Sequence, residues 1–178
     1  TTSYDKGTFQ TVDALCLLWR RGYDVTLALA GTVLASFVRY LQRLPAEEQR
    51  HILLLGRITE EEKLDLLAAG DILCMPSRTD SFGIAYLEAW LFGKPVIGAR
   101  TWGVTDVIRD GTDGLIVPFG DAEALAKAIA YLLDHPAEAM VMGQRGRAKV
   151  LKQYTWEAKY RAVHELYRTL LERGKATP

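Results

Sequence analysis

Five short apolar segments alternate with helical patterns along this chain, and they constrain its fold more than any other feature. The segments cover residues 24–31, 51–56, 71–77, 94–99 and 114–119. Each is opened by a polar residue or closed by Gly or Pro, and most are too uniformly apolar to be strands with one face in water. Strands buried on both faces are typical of parallel sheets covered by helices.

Helical patterns lie between these segments, at residues 9–22, 33–44 and 59–70. The third has Thr59 as an N-cap, Glu62 three residues later and Gly70 at its end, which is a capping-box pattern closed by glycine. The order of the elements predicts one α/β domain over residues 1–178. We expect a three-layer, doubly wound, Rossmann-like parallel sheet with extra helices at the C-terminus.

The last third of the chain adds helices at residues 121–135, 136 to about 151, and 155–174. The final helix has a stripe of large apolar side chains: Trp156, Tyr160, Val163, Leu166, Tyr167 and Leu170. We expect most of these to pack in the core. A part of the stripe could instead pack against a domain that this chain does not contain.

The composition excludes several classes of function. With 178 residues, of which 49% are hydrophobic, the chain is long enough for one domain with a sizeable core. Basic and acidic residues both number 22, so no nucleic-acid surface is expected. Cys16 and Cys74 lie in apolar runs and are expected to be reduced core thiols. The three histidines are isolated and predict no metal site.

No apolar run is long enough to span a membrane, and no signal peptide is recognisable, so a cytoplasmic protein is expected. The first residue is Thr1 rather than methionine. We therefore expect a processed, truncated or excised segment.

The segment PSRTDSFGIAYLEAWLFG carries the clearest sign of a binding site. It begins as a loop after an apolar strand and continues as a helix from Ile84, so the amides of Gly83, Ile84 and Ala85 are free donors that favour phosphate. Glu88 lies on the same face and suits sugar hydroxyls, and Asp80 could bind a second sugar. Alternatively, Asp80 or Ser81 is only an N-cap and Glu88 a solvated helix residue.

Residues 76–129, together with DKG at 5–7, LLGRIT at 54–59 and residues 154–171, resemble the C-terminal domain of the group 1, or family 4, retaining glycosyltransferases. These enzymes have the two-domain GT-B fold, and the C-terminal domain binds the donor. Their signature is two glutamates separated by seven residues, with Phe-Gly between them. Here Glu88 is the second glutamate, Asp80 stands at the position of the first, and Phe82 and Gly83 are in place.

The resemblance implies a role for each matched residue. Asp80 takes the catalytic position beside the transferred sugar, and Glu88 binds the ribose. Lys6 neutralises the diphosphate, although without the family it is only an exposed turn residue. The diphosphate is bound by the loop and helix start, Ser81, Phe82, Gly83, Ile84 and Ala85. The backbone of Gly56, Arg57 and Ile58 lies against the base, with a surface cation as the alternative for Arg57.

The resemblance also implies a UDP- or GDP-linked sugar as substrate, with no cofactor and no metal. Three features depart from the family pattern. Asp80 is one methylene shorter than glutamate; Asp106 and Trp102 replace a Glu and a Gly; and the usual phosphate-binding Arg would fall near Thr1 and is not seen. Trp102 either lines the sugar pocket or packs in the core.

This chain has room for only one of the two GT-B domains, so the N-terminal acceptor domain is expected to be absent from it. Such a half would bind nucleotide sugar weakly and transfer nothing alone. Peripheral membrane association of the whole enzyme, at the inner face of the membrane, is left open. Two alternatives remain at this point: another GT-B enzyme, such as a nucleotide-sugar epimerase or a phosphorylase, and a flavodoxin-like binding module without chemistry.

Overall fold

A computed structural model describes the backbone of residues 1–175 and the side chains of residues 1–172. The strands are β1 (Leu27–Ala30), β2 (Ile52–Gly56), β3 (Leu73–Met75), β4 (Val96–Ala99) and β5 (Leu115–Val117). The helices are α1 (Thr8–Arg20), α2 (Ala35–Leu41), α3 (Ala46–Gln49), α4 (Glu60–Ala69), α5 (Ile84–Leu91), α6 (Val104–Val107), α7 (Ala122–Asp134), α8 (Pro136–Gln153) and α9 (Trp156–Lys175). All five strands lie inside the predicted apolar segments. The sequence analysis missed α3 and α6, which are too short to show a helical period.

All strand pairs are parallel, which confirms the α/β class. The strands are hydrogen-bonded in two groups, since β1 pairs only with β2, and β3, β4 and β5 form a separate sheet. Helix α1 packs against both sheets. Its Val12 and Cys16 belong to a cluster with residues of β1 and β2, and its Leu15 and Leu18 contact side chains of β3 and β4. Side-chain packing, rather than a shared hydrogen-bond ladder, therefore joins the two sheets.

The three-layer arrangement is confirmed by two clusters on opposite faces of the β3–β4–β5 sheet. Ile97 of β4 packs with α1 and α7, whereas its neighbour Val96 packs with α5, α6 and α8. Successive strand residues point to opposite faces, which explains this division. The carboxyl ends of β3 and β4 thus emerge between helices on both sides.

Strand β2 differs from the expectation that the strands are buried on both faces. Leu53, Leu54 and Leu55 are 48%, 41% and 42% exposed. The reason is that β2 lies at the edge of a two-stranded sheet and that α4, the helix that follows it, buries none of its residues. An apolar run alone does not tell which strands the helices cover.

The expectation of core packing for the stripe on α9 is also wrong. Trp156 is 88% exposed, Tyr160 71%, and all six residues of the stripe are more than half exposed. The physical reason is that α9 contacts mainly α8, and nothing in the described part of the chain covers its apolar face. Within residues 1–175, none of the helices combines the length and the hydropathy needed to cross a bilayer.

Both cysteines are free thiols, as predicted. Burial raises the pKa of Cys16 to about 12, with a further contribution from a hydrogen bond to Glu48. Burial also raises the pKa of Cys74 to about 12. Both thiols stay protonated at neutral pH, so neither is suited to act as a nucleophile.

Candidate functional site

The turn before α1 lies directly against the end of β3. Gly7 has a φ of 69°, and a Cβ there would lie 2.2 Å from the carbonyl oxygen of Pro76. The backbone N–H of Arg78 donates to the carbonyl oxygen of Asp5 at 2.7 Å. Glycine at position 7 therefore allows the turn to contact the loop that follows β3, which places Lys6 beside that loop.

Lys6 and Asp80, distant in the sequence, form an ion pair in this place. The Nζ atom of Lys6 is 3.7 Å from Oδ2 of Asp80, and the side chain of Asp80 is only 15% exposed. Lys6 is thus more than a free turn residue. The pair brings together one cation and one anion that the sequence analysis assigned to the same site.

Asp80 also caps the start of α5. Its Oδ1 accepts hydrogen bonds from the backbone N–H groups of Gly83 at 2.8 Å and Phe82 at 3.3 Å. The amides of Ile84 and Ala85 have no acceptor among the described hydrogen bonds. The capping alternative for Asp80 is therefore observed. The expectation of a free amide at Gly83 is wrong, because Asp80 accepts from it, whereas the amides of Ile84 and Ala85 remain free to bind an anion.

The loop between β4 and α6 supports the loop that carries Asp80. Gly103 has a φ of 84°, and a Cβ there would lie 2.4 Å from the carbonyl oxygen of Asp80 and 2.9 Å from that of Ser81. Next to it, Trp102 is 81% exposed, so the core-packing alternative for this indole is wrong. Asp106 is exposed on α6. The exposed indole is free to contact a ligand at this end of the sheet.

The resemblance implies that the loop carrying Asp80 binds a nucleotide, and we expect Gly103→Ala to weaken that binding about tenfold, because the new Cβ would push the backbone of Asp80 out of place at a cost typical of overpacking. Gly111→Ala is the matched control. Gly111 also has a positive φ, of 69°, but a Cβ there meets no atom within 4 Å. Calorimetric titration of both variants with the nucleotide measures the difference in affinity. Equal affinities of the two variants would show that the close packing of the Gly103 loop is unimportant for binding.

Glu88 lies on α5 and is held by a residue that the sequence analysis missed. Its Oε1 accepts a hydrogen bond from Nζ of Lys63 on α4 at 2.9 Å. The predicted capping box at the start of α4 is confirmed, since Thr59 and Glu62 bond reciprocally. The capping box predicts where α4 begins in the sequence. No sequence pattern predicts which residue of α5 contacts Lys63.

The segment of Gly56, Arg57 and Ile58 joins the end of β2 to α4. The carbonyl oxygen of Gly56 accepts from the N–H of Gly31 at 2.6 Å. Arg57 is exposed and its Nε lies 3.4 Å from Oγ1 of Thr32, as in the surface-cation alternative. The predicted loop residues therefore follow strands or precede helices at the carboxyl ends of parallel strands, where α/β proteins bind ligands, and Glu88 lies about one turn into α5.

Each of the two carboxylates of the site is paired with a lysine, and Lys63 is shared between Glu88 and Glu60. Glu60 and then Glu88 raise the pKa of Lys63 through hydrogen bonds, so this lysine is fully charged at neutral pH. In the described part of the chain, no three His, Cys, Asp or Glu side chains cluster to hold a metal ion. The geometry suits a ligand with both an anionic part and hydroxyl groups.

Comparison with known proteins agrees with this geometry. A family model described as glycosyl transferases group 1 matches residues 1–149. A GDP-mannose-dependent monoacylated alpha-(1-6)-phosphatidylinositol monomannoside mannosyltransferase of Corynebacterium glutamicum is 33% identical over 141 residues, which are 75% of this chain and 36% of the relative. A GDP-mannose-dependent alpha-(1-6)-phosphatidylinositol monomannoside mannosyltransferase of Mycolicibacterium smegmatis is 32% identical over 170 residues, 90% of this chain and 44% of the relative.

Solved structures show the same fold. A glycosyltransferase of Rickettsia africae superposes with a TM-score of 0.81 at 25% identity, over 96% of this chain and 45% of that one. Anabaena HepE in complex with UDP gives a TM-score of 0.77 at 22% identity, over 94% of this chain and 46% of that one. The chain thus spans less than half the length of these relatives and has the architecture of one half of a GT-B fold. By the family match over residues 1–149, it belongs to the group 1 glycosyl transferases.

Proposed function

We propose that residues 1–178 are the donor-binding half of a retaining glycosyltransferase that uses a UDP- or GDP-linked sugar. The observation that carries this proposal is the position of the Lys6–Asp80 pair beside the free amides of Ile84 and Ala85. A cation and two unpaired amides at a helix start favour a diphosphate, and the adjacent carboxylate favours a sugar.

In the proposed complex, the amides of Ile84 and Ala85 donate to the diphosphate oxygens, and Ser81, Phe82 and Gly83 form the loop that approaches them. Lys6 moves from Asp80 to the diphosphate as a point charge. Its side chain is 45% exposed, so it has room to change partner. The amide of Gly83 stays bonded to Asp80.

The nucleoside occupies the side of the site near α4. Glu88 accepts hydrogen bonds from the ribose hydroxyls, and the backbone of Gly56, Arg57 and Ile58 lies along the base. Several relatives support a nucleotide-linked donor: two are named for GDP-mannose, and Anabaena HepE is described in complexes with UDP and with UDP-glucose.

The proposed reaction breaks the bond between C1 of the donor sugar and the diphosphate oxygen, and the electron pair leaves with the diphosphate. C1 then bonds to a hydroxyl oxygen of the acceptor, whose proton is released. Asp80 stabilises the positive charge that develops on the sugar, and Lys6 with the helix amides stabilises the leaving diphosphate. We propose that no metal or cofactor takes part and that Lys6 and the helix amides supply the charge stabilisation of the leaving diphosphate.

A second domain supplies the acceptor site in this proposal. It is supported by the coverage, since the matched parts of the two mannosyltransferases are 36% and 44% of their lengths. We also propose a cytoplasmic enzyme that associates peripherally with the inner face of the membrane. The names of these two relatives, which specify phosphatidylinositol-linked acceptors, support that location.

Calorimetric titration of the complete natural protein with UDP and GDP tests the proposal. We expect one of them to bind, and Glu88→Ala to weaken that binding about tenfold through loss of hydrogen bonds to a charged group. Glu61→Ala, an exposed acid on α4, is the control and should bind like the wild type. If neither nucleotide binds at millimolar concentration, the proposed function is wrong.

A further inference from the structure

We propose that Lys63 is a positioning residue that holds Glu88 in the orientation needed to bind the nucleotide's ribose. The inference rests on the proposed function and adds to it a residue outside the two-acid signature. Lys63 lies on α4 and Glu88 on α5. In the proposed complex the contact therefore joins α4, which lies near the base, to α5, which lies near the transferred sugar.

Lys63 forms two short contacts with acids of different helices. Its Nζ lies 2.9 Å from Oε1 of Glu88 and 2.6 Å from Oε2 of Glu60. The side chains of Lys63 and Glu88 are both 30% exposed, whereas that of Glu60 is 86% exposed. An ammonium group has three donors, and the two contacts to Glu60 and Glu88 direct it across the gap between α4 and α5.

The contact leaves Glu88 able to bind a ligand. A carboxylate offers about four acceptor sites on its two oxygens, and Lys63 occupies one site on Oε1. Among the described hydrogen bonds, Oε2 accepts none. Lys63 thus restricts the rotamer of Glu88 without using its capacity to accept from the two hydroxyls of a ribose. Restriction before binding lowers the entropy that the side chain loses on binding.

Lys63 also reduces an unfavourable charge. Glu88 follows the free amides of Ile84 and Ala85 by about one helical turn, so it lies on the same side as the proposed diphosphate. Two anions in this place would repel each other. Lys63 shares its charge with Glu60, whose carboxylate is 86% exposed and screened by water, so its cation offsets a part of the negative charge of Glu88 beside the diphosphate.

A purely structural role explains the contact less well. Helix α4 buries no residue, and partly exposed ion pairs contribute only about 0–1 kcal/mol to stability. The capping box of Thr59 and Glu62 already stabilises the start of α4. The capping box therefore stabilises the helix that carries Lys63 without help from the Lys63–Glu88 contact. This contact can serve to position Glu88 rather than to stabilise the helix.

The test compares ligands that differ only in the ribose hydroxyls. The complete natural protein is titrated with UDP or GDP, whichever the wild type binds, and with the 2′,3′-dideoxy form of the same nucleotide. We expect Lys63→Met to weaken binding of the ribonucleotide about tenfold and binding of the dideoxy form less than about twofold. Lys63→Arg should restore most of the affinity, since it keeps a charged donor. Glu60→Gln is the control for the other contact and should change affinity less than about threefold.

A double variant tests whether Lys63 acts through Glu88. In the Glu88→Gln background, Lys63→Met should cause no further loss. Equal losses for the ribonucleotide and the dideoxy form, or additive losses in the double variant, would overturn the inference and leave the proposed function standing. Absence of binding by the wild type would overturn both. If Lys63→Met does not fold, Lys63→Gln replaces it in the same comparison.

Discussion

Replacing Lys149 by methionine is expected to lower the free energy of unfolding by about 3–5 kcal/mol, because it leaves a buried carboxylate without its cation. Lys149 on α8 forms an ion pair with Asp113, and their side chains are 8% and 3% exposed. Its Nζ also donates to the carbonyl oxygen of Val107 at 2.6 Å and lies 4.7 Å from the centre of the Trp90 ring. Urea denaturation followed by tryptophan fluorescence measures the loss.

Lys152→Met is the matched control, since Lys152 is exposed near the end of the same helix. It should change stability by less than about 0.5 kcal/mol. The double variant Lys149→Met/Asp113→Asn should be more stable than the sum of the single losses predicts, because it leaves no unpaired charge. A loss for Lys149→Met as small as that for Lys152→Met would show that this buried pair does not hold α8 on α5 and α6.

The second large effect is expected at Asp80. In the proposed mechanism Asp80 stabilises the cation that develops on the sugar, so we expect Asp80→Asn, which removes this charge, to lower kcat for release of the nucleoside diphosphate about 100-fold. Nucleotide binding should change less than about threefold, since the amide oxygen of asparagine can still accept from Gly83 and Phe82. Kinetics of the complete natural protein with its nucleotide sugar measure kcat, and calorimetry measures Kd.

Asp121→Asn is a suitable control for this experiment, because Asp121 caps α7 by accepting from the N–H of Ala124 at 2.8 Å. It should leave kcat unchanged. Full activity of Asp80→Asn would instead assign Asp80 the capping role alone, which the structure already shows it to have.

The strands and most helices could be predicted because each leaves a local mark in the sequence. The capping box of Thr59 and Glu62 is an example, since both partners lie within one turn. The pairing of strands could not be predicted, because an apolar run does not specify its neighbour. The prediction of core packing for the stripe on α9 was wrong for a related reason. Periodicity shows that one face of a helix is apolar, but it does not show what covers that face.

The site was predicted in part. The spacing of Asp80 and Glu88 indicated a two-acid site. The structure adds the lysine partner of each acid, which is Lys6 for Asp80 and Lys63 for Glu88. The pairing of Lys63 with Glu88 depends on how α4 packs beside α5, which no local pattern reports. The N-cap alternative for Asp80 could be stated from the sequence, and the structure shows that its carboxylate accepts from the amides of Phe82 and Gly83 while it also pairs with Lys6.

The two sheets meet without a shared ladder, since β1 and β3 exchange no backbone hydrogen bonds. They are linked by the apolar contacts of α1 and by the N-terminal segment, in which the N–H of Thr2 donates to the carbonyl oxygen of Thr32 and the carbonyl oxygen of Asp5 accepts from the N–H of Arg78. Sliding of one sheet past the other would break no strand ladder, so we expect this junction to yield before either sheet does. In the proposed complex, such sliding would change the spacing between the nucleoside and the diphosphate.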